Sequence, residues 1–171
     1  MLSSLLTSEL SGELIQQSAR LLEALRQAQA KLVTAESCTG GLVAALLTHH
    51  AGSSDVTEGG LVTYSNSMKQ SVLGVRADTL RQFGAVSAET VREMADGALS
   101  IAKEATHSVS VSGIAGPGGG SADKSVGLVW FGTAVHGGEV RAEARIFKGD
   151  RTEVRSQAAL YALALVAQRL D

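Results

Sequence analysis

The chain predicts an α/β fold: a three-layer α/β/α sandwich around a mixed, mostly parallel sheet of about five strands with a late hairpin. Three observations carry this. Short apolar runs that read as strands alternate with longer amphipathic stretches that read as helices. Cap residues (Ser, Asn, Asp) stand at the starts of several of those stretches. Near the end, two alternating runs flank His136-Gly137-Gly138, the signature of a hairpin.

The elements follow in order. Residues 8–29 carry Leu10, Leu14, Ile15, Leu21, Leu22 and Leu25, mostly at helical spacing, and predict an amphipathic helix against the core. Residues 31–36 read as a strand and 39–50 as a buried helix, with a loop at 52–55. Residues 58–64 read as a second strand, after which Asn66 is expected to cap a short helix bearing Met68, Val72 and Leu73. A helix-turn occupies 76–84. Ser87 caps a helix over 88–104 that turns Val91, Met94, Ala95, Ala98 and Ile101 inward. Residues 107–112 alternate as a third strand, 113–125 form a glycine-rich loop, and 126–135 with 140–147 form the hairpin. Asp150 caps the last helix, Glu153 completes a capping box, and Leu160, Leu163, Ala164, Ala167 and Leu170 are the expected buried stripe. No internal repeat or linker divides the chain, so residues 1–171 are expected to form a single domain.

Composition narrows the function. At 171 residues the chain can bury about two-thirds of its unfolded surface. A net charge of −2 and an aromatic content of 4 % supply neither a basic stripe nor stacking platforms, which argues against nucleic acid as partner. No apolar stretch reaches the length of a membrane helix, and the N-terminus lacks the features of a signal peptide. The one cysteine, Cys38, has no partner for an internal disulfide, which suits a reducing cytoplasm. There is no H-x-x-x-H, no C-x-x-C and no clustered acidic loop, so neither metal nor organic cofactor is expected.

Four segments carry candidate chemistry. The first is Glu36-Ser37-Cys38-Thr39-Gly40-Gly41, between a strand and a helix. A serine there stands beside free helix N–H groups, as an amide hydrolase requires of its nucleophile and oxyanion donors. Ser37 or Thr39 could equally be a helix cap. Cys38 is a rival nucleophile, since a thiolate at a helix N-terminus has a lowered pKa. No histidine among His49, His50, His107 and His136 sits in a recognisable catalytic setting to serve it. The second is Tyr64-Ser-Asn66-Ser-Met-Lys69, where Lys69 in the first helical turn feels an unfavourable dipole that lowers its pKa. An exposed surface lysine is the plain alternative. The third is Ser112-Gly113-Ile-Ala-Gly116-Pro-Gly-Gly-Gly120. It is neither a P-loop nor a dinucleotide fingerprint, yet its successive amides can form an anion-binding nest. A flexible connection is the other reading. The fourth places Arg151 and Arg155 one turn apart on one helix face, able to grip a phosphate or to pair with carboxylates.

Taken together, A-E-S-C-T-G-G (35–41), T-Y-S-N-x-x-K (63–69), G-A-V-S (84–87), S-G-I-A-G-P-G-G-G (112–120) and G-D-R-x-x-V-R (149–155) resemble the CinA C-terminal domain family. The resemblance runs from about residue 10 to the end. It implies a three-layer α/β/α sandwich, a homo-oligomer, and hydrolysis of the carboxamide of nicotinamide mononucleotide to nicotinate mononucleotide and ammonia in bacterial pyridine nucleotide recycling. It implies Ser37, Lys69 and Tyr64 as catalytic residues. It also implies Glu36, Cys38, Thr39, Gly40, Gly41, Asn66, Ser112, Gly113, Gly116 and Arg151 around the nucleotide, with the N–H groups at the start of the 39–50 helix as oxyanion donors. One departure stands out: the family commonly has Lys-Pro-Val-Gly after the glycine-rich loop, and here Lys124-Ser125-Val126-Gly127 lacks the proline. The expected partner is thus a small nucleotide, with no nucleic acid and no membrane, and the expected location is the cytoplasm. A non-catalytic nucleotide-binding or competence-associated module, or an amidohydrolase for another small amide, fits the same segments. The first of these would be expected to have lost Ser37 or Lys69, and both are present.

Overall fold

A computed structural model describes residues 12–170. Helices α1 (Gly12–Gln27), α2 (Leu42–Thr48), α3 (Asn66–Leu73), α4 (Ala77–Phe83), α5 (Ala88–Ile101) and α6 (Arg151–Ala167) accompany strands β1 (Leu32–Glu36), β2 (Thr57–Val62), β3 (His107–Gly113), β4 (Leu128–Val135) and β5 (Arg141–Ile146). The expected loop at 52–55 contains a 3-10 turn over Ser53–Asp55. Leu10 and the N-terminal segment read for a signal peptide lie outside the described residues.

The five strands form one sheet in the order β2-β1-β3-β4-β5. β1 pairs in parallel with β2 and with β3, and β4 is antiparallel to both β3 and β5. Only β4 therefore runs against the rest, so the sheet is mixed and mostly parallel. The period-two geometry of a strand separates two cores. Leu32, Val109, Val111, Val129 and Phe131 face one way, onto α1, α2 and α6. Val33 and Ala35 face the other, onto Leu73 of α3, Leu80 of α4, and Met94 and Ala98 of α5.

The alternating serines of β3 are not solvent-facing, as simple alternation would suggest. Ser108 and Ser110 donate from Oγ to the carbonyls of Ala95 and Val91 in α5, at 2.7 and 2.6 Å. Both are buried, so these bonds offset a desolvation cost of about 1–3 kcal/mol each.

Three helix faces differ from expectation. Ser65, not Asn66, caps α3, its Oγ accepting from Met68 N–H at 3.1 Å. That phase puts Lys69 and Leu73, one turn apart, on the buried face and leaves Met68 43 % exposed. α5 ends at Ile101, which is exposed rather than inward, because Ala102 leaves the helix. In α6 the buried residues are Val154, Ala158, Ala159, Ala162, Leu163, Leu165 and Val166, whereas Ala164 and Ala167 are exposed and Leu160 and Leu170 half-buried. Alanines on nearly every side of α6 blur its apolar phase, so spacing alone misplaces the stripe. The capping box of Asp150 and Glu153 is formed as expected, with each side chain accepting from the other's backbone N–H.

Candidate functional site

The site gathers at the carboxyl ends of the parallel strands, where open α/β sheets place their ligands. β1 ends at Glu36 and delivers Ser37; β2 ends at Val62 and delivers Thr63 and Tyr64; β3 ends at Gly113 and opens the glycine-rich loop. Sheet-like bonds persist past the strand ends and fix these segments together: Ser37 N–H donates to Val111 O at 2.9 Å and Thr63 N–H to Glu36 O at 2.8 Å.

Lys69 is 1 % exposed, and its Nζ lies 2.9 Å from Ser37 Oγ. The amine also donates to the carbonyls of Thr63, at 2.8 Å, and Tyr64, at 3.4 Å. No carboxylate pairs with it among the described residues. Burial therefore lowers its pKa from 10.5 to about 8, against a smaller opposing effect of Cys38. A neutral amine has two N–H groups and one lone pair. With the two carbonyls accepting its protons, the lone pair faces the Ser37 hydroxyl, the orientation a general base needs.

Cys38 is a poor rival. Burial, with a lesser contribution from Glu36, pushes its thiol up to about 11, so it is protonated at neutral pH. The lowered pKa expected of a helix N-terminal thiolate is thereby reversed.

Neither Ser37 nor Thr39 caps α2. Gly40 and Gly41 take φ of +63° and +95°, and Gly41 is the N-cap without a side chain to offer. The cap is Glu36, five residues upstream. Its Oε2 accepts from the N–H groups of Gly41 and Val43 at 3.0 and 3.1 Å, and its Oε1 from Ala44 N–H at 2.9 Å and Thr34 Oγ1 at 3.1 Å. Glu36 is fully buried and its oxygens are committed internally, so it supports the turn instead of meeting a ligand. Of the N–H groups at the start of the expected 39–50 helix, those of Gly41, Val43 and Ala44 are occupied by Glu36, whereas that of Thr39 is not. The N–H groups of Cys38 and Thr39, immediately after Ser37, donate to no backbone carbonyl among the described residues, and the Cys38 N–H also acts on its own sulfur, a smaller effect that opposes the rise of the thiol pKa. Thr39 contributes a carbonyl to Arg155 Nη2 at 3.0 Å, while its own buried Oγ1 has no partner among the described residues.

Arg151 closes the other side. Its Nη1 donates to Gly116 O at 2.9 Å and its Nη2 to the Tyr64 hydroxyl at 3.1 Å. Among the described residues no carboxylate lies in ion-pair range of Arg151. It is close enough to act electrostatically on Cys38. Tyr64 is 60 % exposed and reaches Lys69 through its backbone carbonyl, its hydroxyl resting on Arg151. Asn66 and Gly40 are exposed at the rim. Gly116 has φ +85°, and Gly113 lies so close to β4 that a Cβ would stand 2.7 Å from Val129 Cγ2. Ser112 is buried, donating to Ala85 O at 2.8 Å, and is structural.

The structure thus brings Ser37, Lys69, Tyr64, Gly116 and Arg151 into one connected cluster and withdraws Glu36 and Ser112 behind it. Sequence reasoning missed Glu36 as the cap, for which a buried carboxylate six residues before the helix gives no standard signal. It also missed Arg155 as a brace on the turn. Among the described residues no group of His, Cys, Asp and Glu side chains gathers to hold a metal ion, and no helix is long and apolar enough to cross a membrane.

Comparison with known proteins agrees in sequence and in fold. Residues 15–170 match the CinA C-terminal domain. The chain is 52 % identical over 158 residues to nicotinamide-nucleotide amidohydrolase PncC of Escherichia coli K12, covering 92 % of this chain and 95 % of that one. It is 56 % identical over 129 residues to the protein of the same name from Enterobacter agglomerans, covering 75 % and 78 %. The competence/damage inducible protein CihA of Agrobacterium tumefaciens superposes with a TM-score of 0.88 at 43 % identity, covering 94 % of this chain and 96 % of that one. The chain belongs to the CinA C-terminal domain family.

Proposed function

We propose that this CinA C-terminal domain hydrolyses the carboxamide of nicotinamide mononucleotide, giving nicotinate mononucleotide and ammonia, in pyridine nucleotide recycling. The observation that carries the reading is the buried Lys69 amine, 2.9 Å from the Ser37 hydroxyl with no carboxylate among the described residues to hold its charge. The names of the 52 % and 56 % identical relatives supply the substrate.

In this reading neutral Lys69 takes the Ser37 proton as Oγ attacks the carboxamide carbon. The resulting oxyanion is met by the N–H groups of Cys38 and Thr39, two donors held rigidly by a turn that Glu36 and Arg155 brace from behind. The C–N bond breaks, and the Lys69 ammonium protonates the departing amine, which leaves as ammonia. Water then loses a proton to Lys69 and attacks the acyl-enzyme ester, and Ser37 recovers its proton as nicotinate mononucleotide departs. This is the serine–lysine form of nucleophile-and-base catalysis. The guanidinium of Arg151, bound only to neutral oxygens, and the amides of Gly118 to Gly120, which have no acceptor among the described residues, suit the nucleotide phosphate. Binding that remote group orients the amide over Ser37.

An ammonia-release assay across nicotinamide mononucleotide, free nicotinamide and glutamine tests this. The mononucleotide is expected to be turned over at least about a hundredfold more efficiently than the other two, because only it uses the phosphate site. Comparable rates on glutamine would reject the substrate, and release from none would reject the activity.

A further inference from the structure

We propose that Lys124 is a positioning residue that clamps the glycine-rich loop to the turn between α4 and α5, and so holds the loop's amides in the shape that binds the nucleotide. The inference rests on the phosphate-binding role given to that loop above.

Lys124 is half-buried between exposed neighbours. Its Nζ donates to Phe83 O and Val86 O, both at 2.7 Å. Its backbone completes a local turn, with Ser121 N–H donating to Lys124 O at 2.8 Å and Lys124 N–H to Ser121 Oγ at 3.2 Å. The side chain therefore joins that turn to a segment 38 to 41 residues away in the chain.

The receiving segment is itself immobilised. Of its four carbonyls, Phe83 O and Val86 O accept from Lys124, Gly84 O accepts from Ser87 Oγ and Thr90 Oγ1, and Ala85 O accepts from Ser112 Oγ. Gly84 has φ +77°, and a Cβ there would come within 3.2 Å of Lys124 Nζ. The ammonium is bound by two carbonyls and no carboxylate among the described residues, an arrangement selected for geometry rather than charge pairing. At the other end of the loop, Arg151 holds Gly116 O. Gly118, Gly119 and Gly120 span the interval between these anchors, and their N–H groups donate to no backbone carbonyl among the described residues. Three consecutive glycines have little intrinsic preference for one conformation, so the two anchors define it.

The test compares Lys124→Met and Lys124→Arg with the natural chain in two ways. Hydrogen–deuterium exchange is followed in a peptide spanning 114–127, whose bonded amides include Gly127 N–H to Ile114 O. Lys124→Met should exchange there at least about tenfold faster, with α5 still protected. Steady-state kinetics with nicotinamide mononucleotide should show KM raised about tenfold and kcat within about threefold. Lys124→Arg, which keeps two donors, should restore most of both. Unchanged exchange would overturn the clamp, and so would a Lys124→Met chain that does not fold, which would assign Lys124 to the fold itself. Faster exchange with an unchanged KM, or with kcat and KM affected alike, would overturn its role in binding. A natural chain that does not turn over the mononucleotide would reject the proposed function, while the exchange experiment still decides the clamp.

Discussion

The central residue is Lys69, and its behaviour turns on one physical fact: an amine taken out of water without an anion to replace the lost hydration prefers to be neutral. With its pKa lowered to about 8, roughly a tenth of the enzyme carries the basic form at pH 7. The proposed mechanism therefore predicts that kcat/KM for nicotinamide mononucleotide rises about tenfold per pH unit below pH ~8 and levels off above it. A profile flat from about pH 6 to 9 would remove Lys69 from the role of base. At this scale the sequence was partly legible. The T-Y-S-N-x-x-K motif pointed to Lys69, but not to its burial, because a lysine near a helix start is ordinarily solvated. Lys69 lies one turn from Leu73, on the face of the helix that is turned inward.

At the scale of the element, α2 is a seven-residue helix whose free N–H groups are neutralised by a carboxylate from the preceding strand. That cap separates two tasks which the sequence merges in one turn. Glu36 satisfies the helix, and the proposed mechanism assigns the N–H groups of Cys38 and Thr39 to the oxyanion. Glu36→Gln replaces one accepting oxygen with a donor facing helix N–H groups, and is expected to cost about 1–3 kcal/mol of stability. kcat should fall at least tenfold while the pH profile keeps its midpoint near ~8, because Lys69 is untouched. Urea unfolding and a pH–rate series check both, and an unchanged urea midpoint would show that the carboxylate does not hold the helix. Strand positions and most helix positions were legible from periodicity. The inward phase of α6 was not, because its alanines lie on both its buried and its exposed sides.

Across the whole molecule, the buried amine sets catalysis against stability. The unfolded chain holds the Lys69 proton up to about pH 10.5, and the folded chain releases it near 8. Between these values the unfolded state binds more protons, so this group makes stability rise with pH. Below pH ~8 the full cost applies, about 3 kcal/mol from the displacement of its pKa. Lys69→Met removes the charge while keeping the volume, so its urea midpoint at pH 7 should equal or exceed that of the natural chain, with activity lost. A lower midpoint would mean that the amine's hydrogen bonds outweigh its burial. The sandwich gives this arrangement its rigidity. Both faces of the sheet are covered, β3 is bonded to α5 through Ser108 and Ser110, and the strand ends carrying Ser37 and Thr63 stay hydrogen-bonded to their neighbours. The α/β/α layering was legible because it depends on many apolar positions at once. The site was legible as motifs, but its division into reacting groups and internal supports depends on hydrogen bonds that join distant segments.

The most direct test is the rate of ammonia release from saturating nicotinamide mononucleotide by Ser37→Ala beside the natural chain. The account predicts a loss of at least about a thousandfold with the melting temperature unchanged, since a nucleophile is replaced without disturbing the cap or the sheet. A Ser37→Ala chain that retained activity within about tenfold would contradict it, and would place the bond-breaking chemistry elsewhere in the molecule.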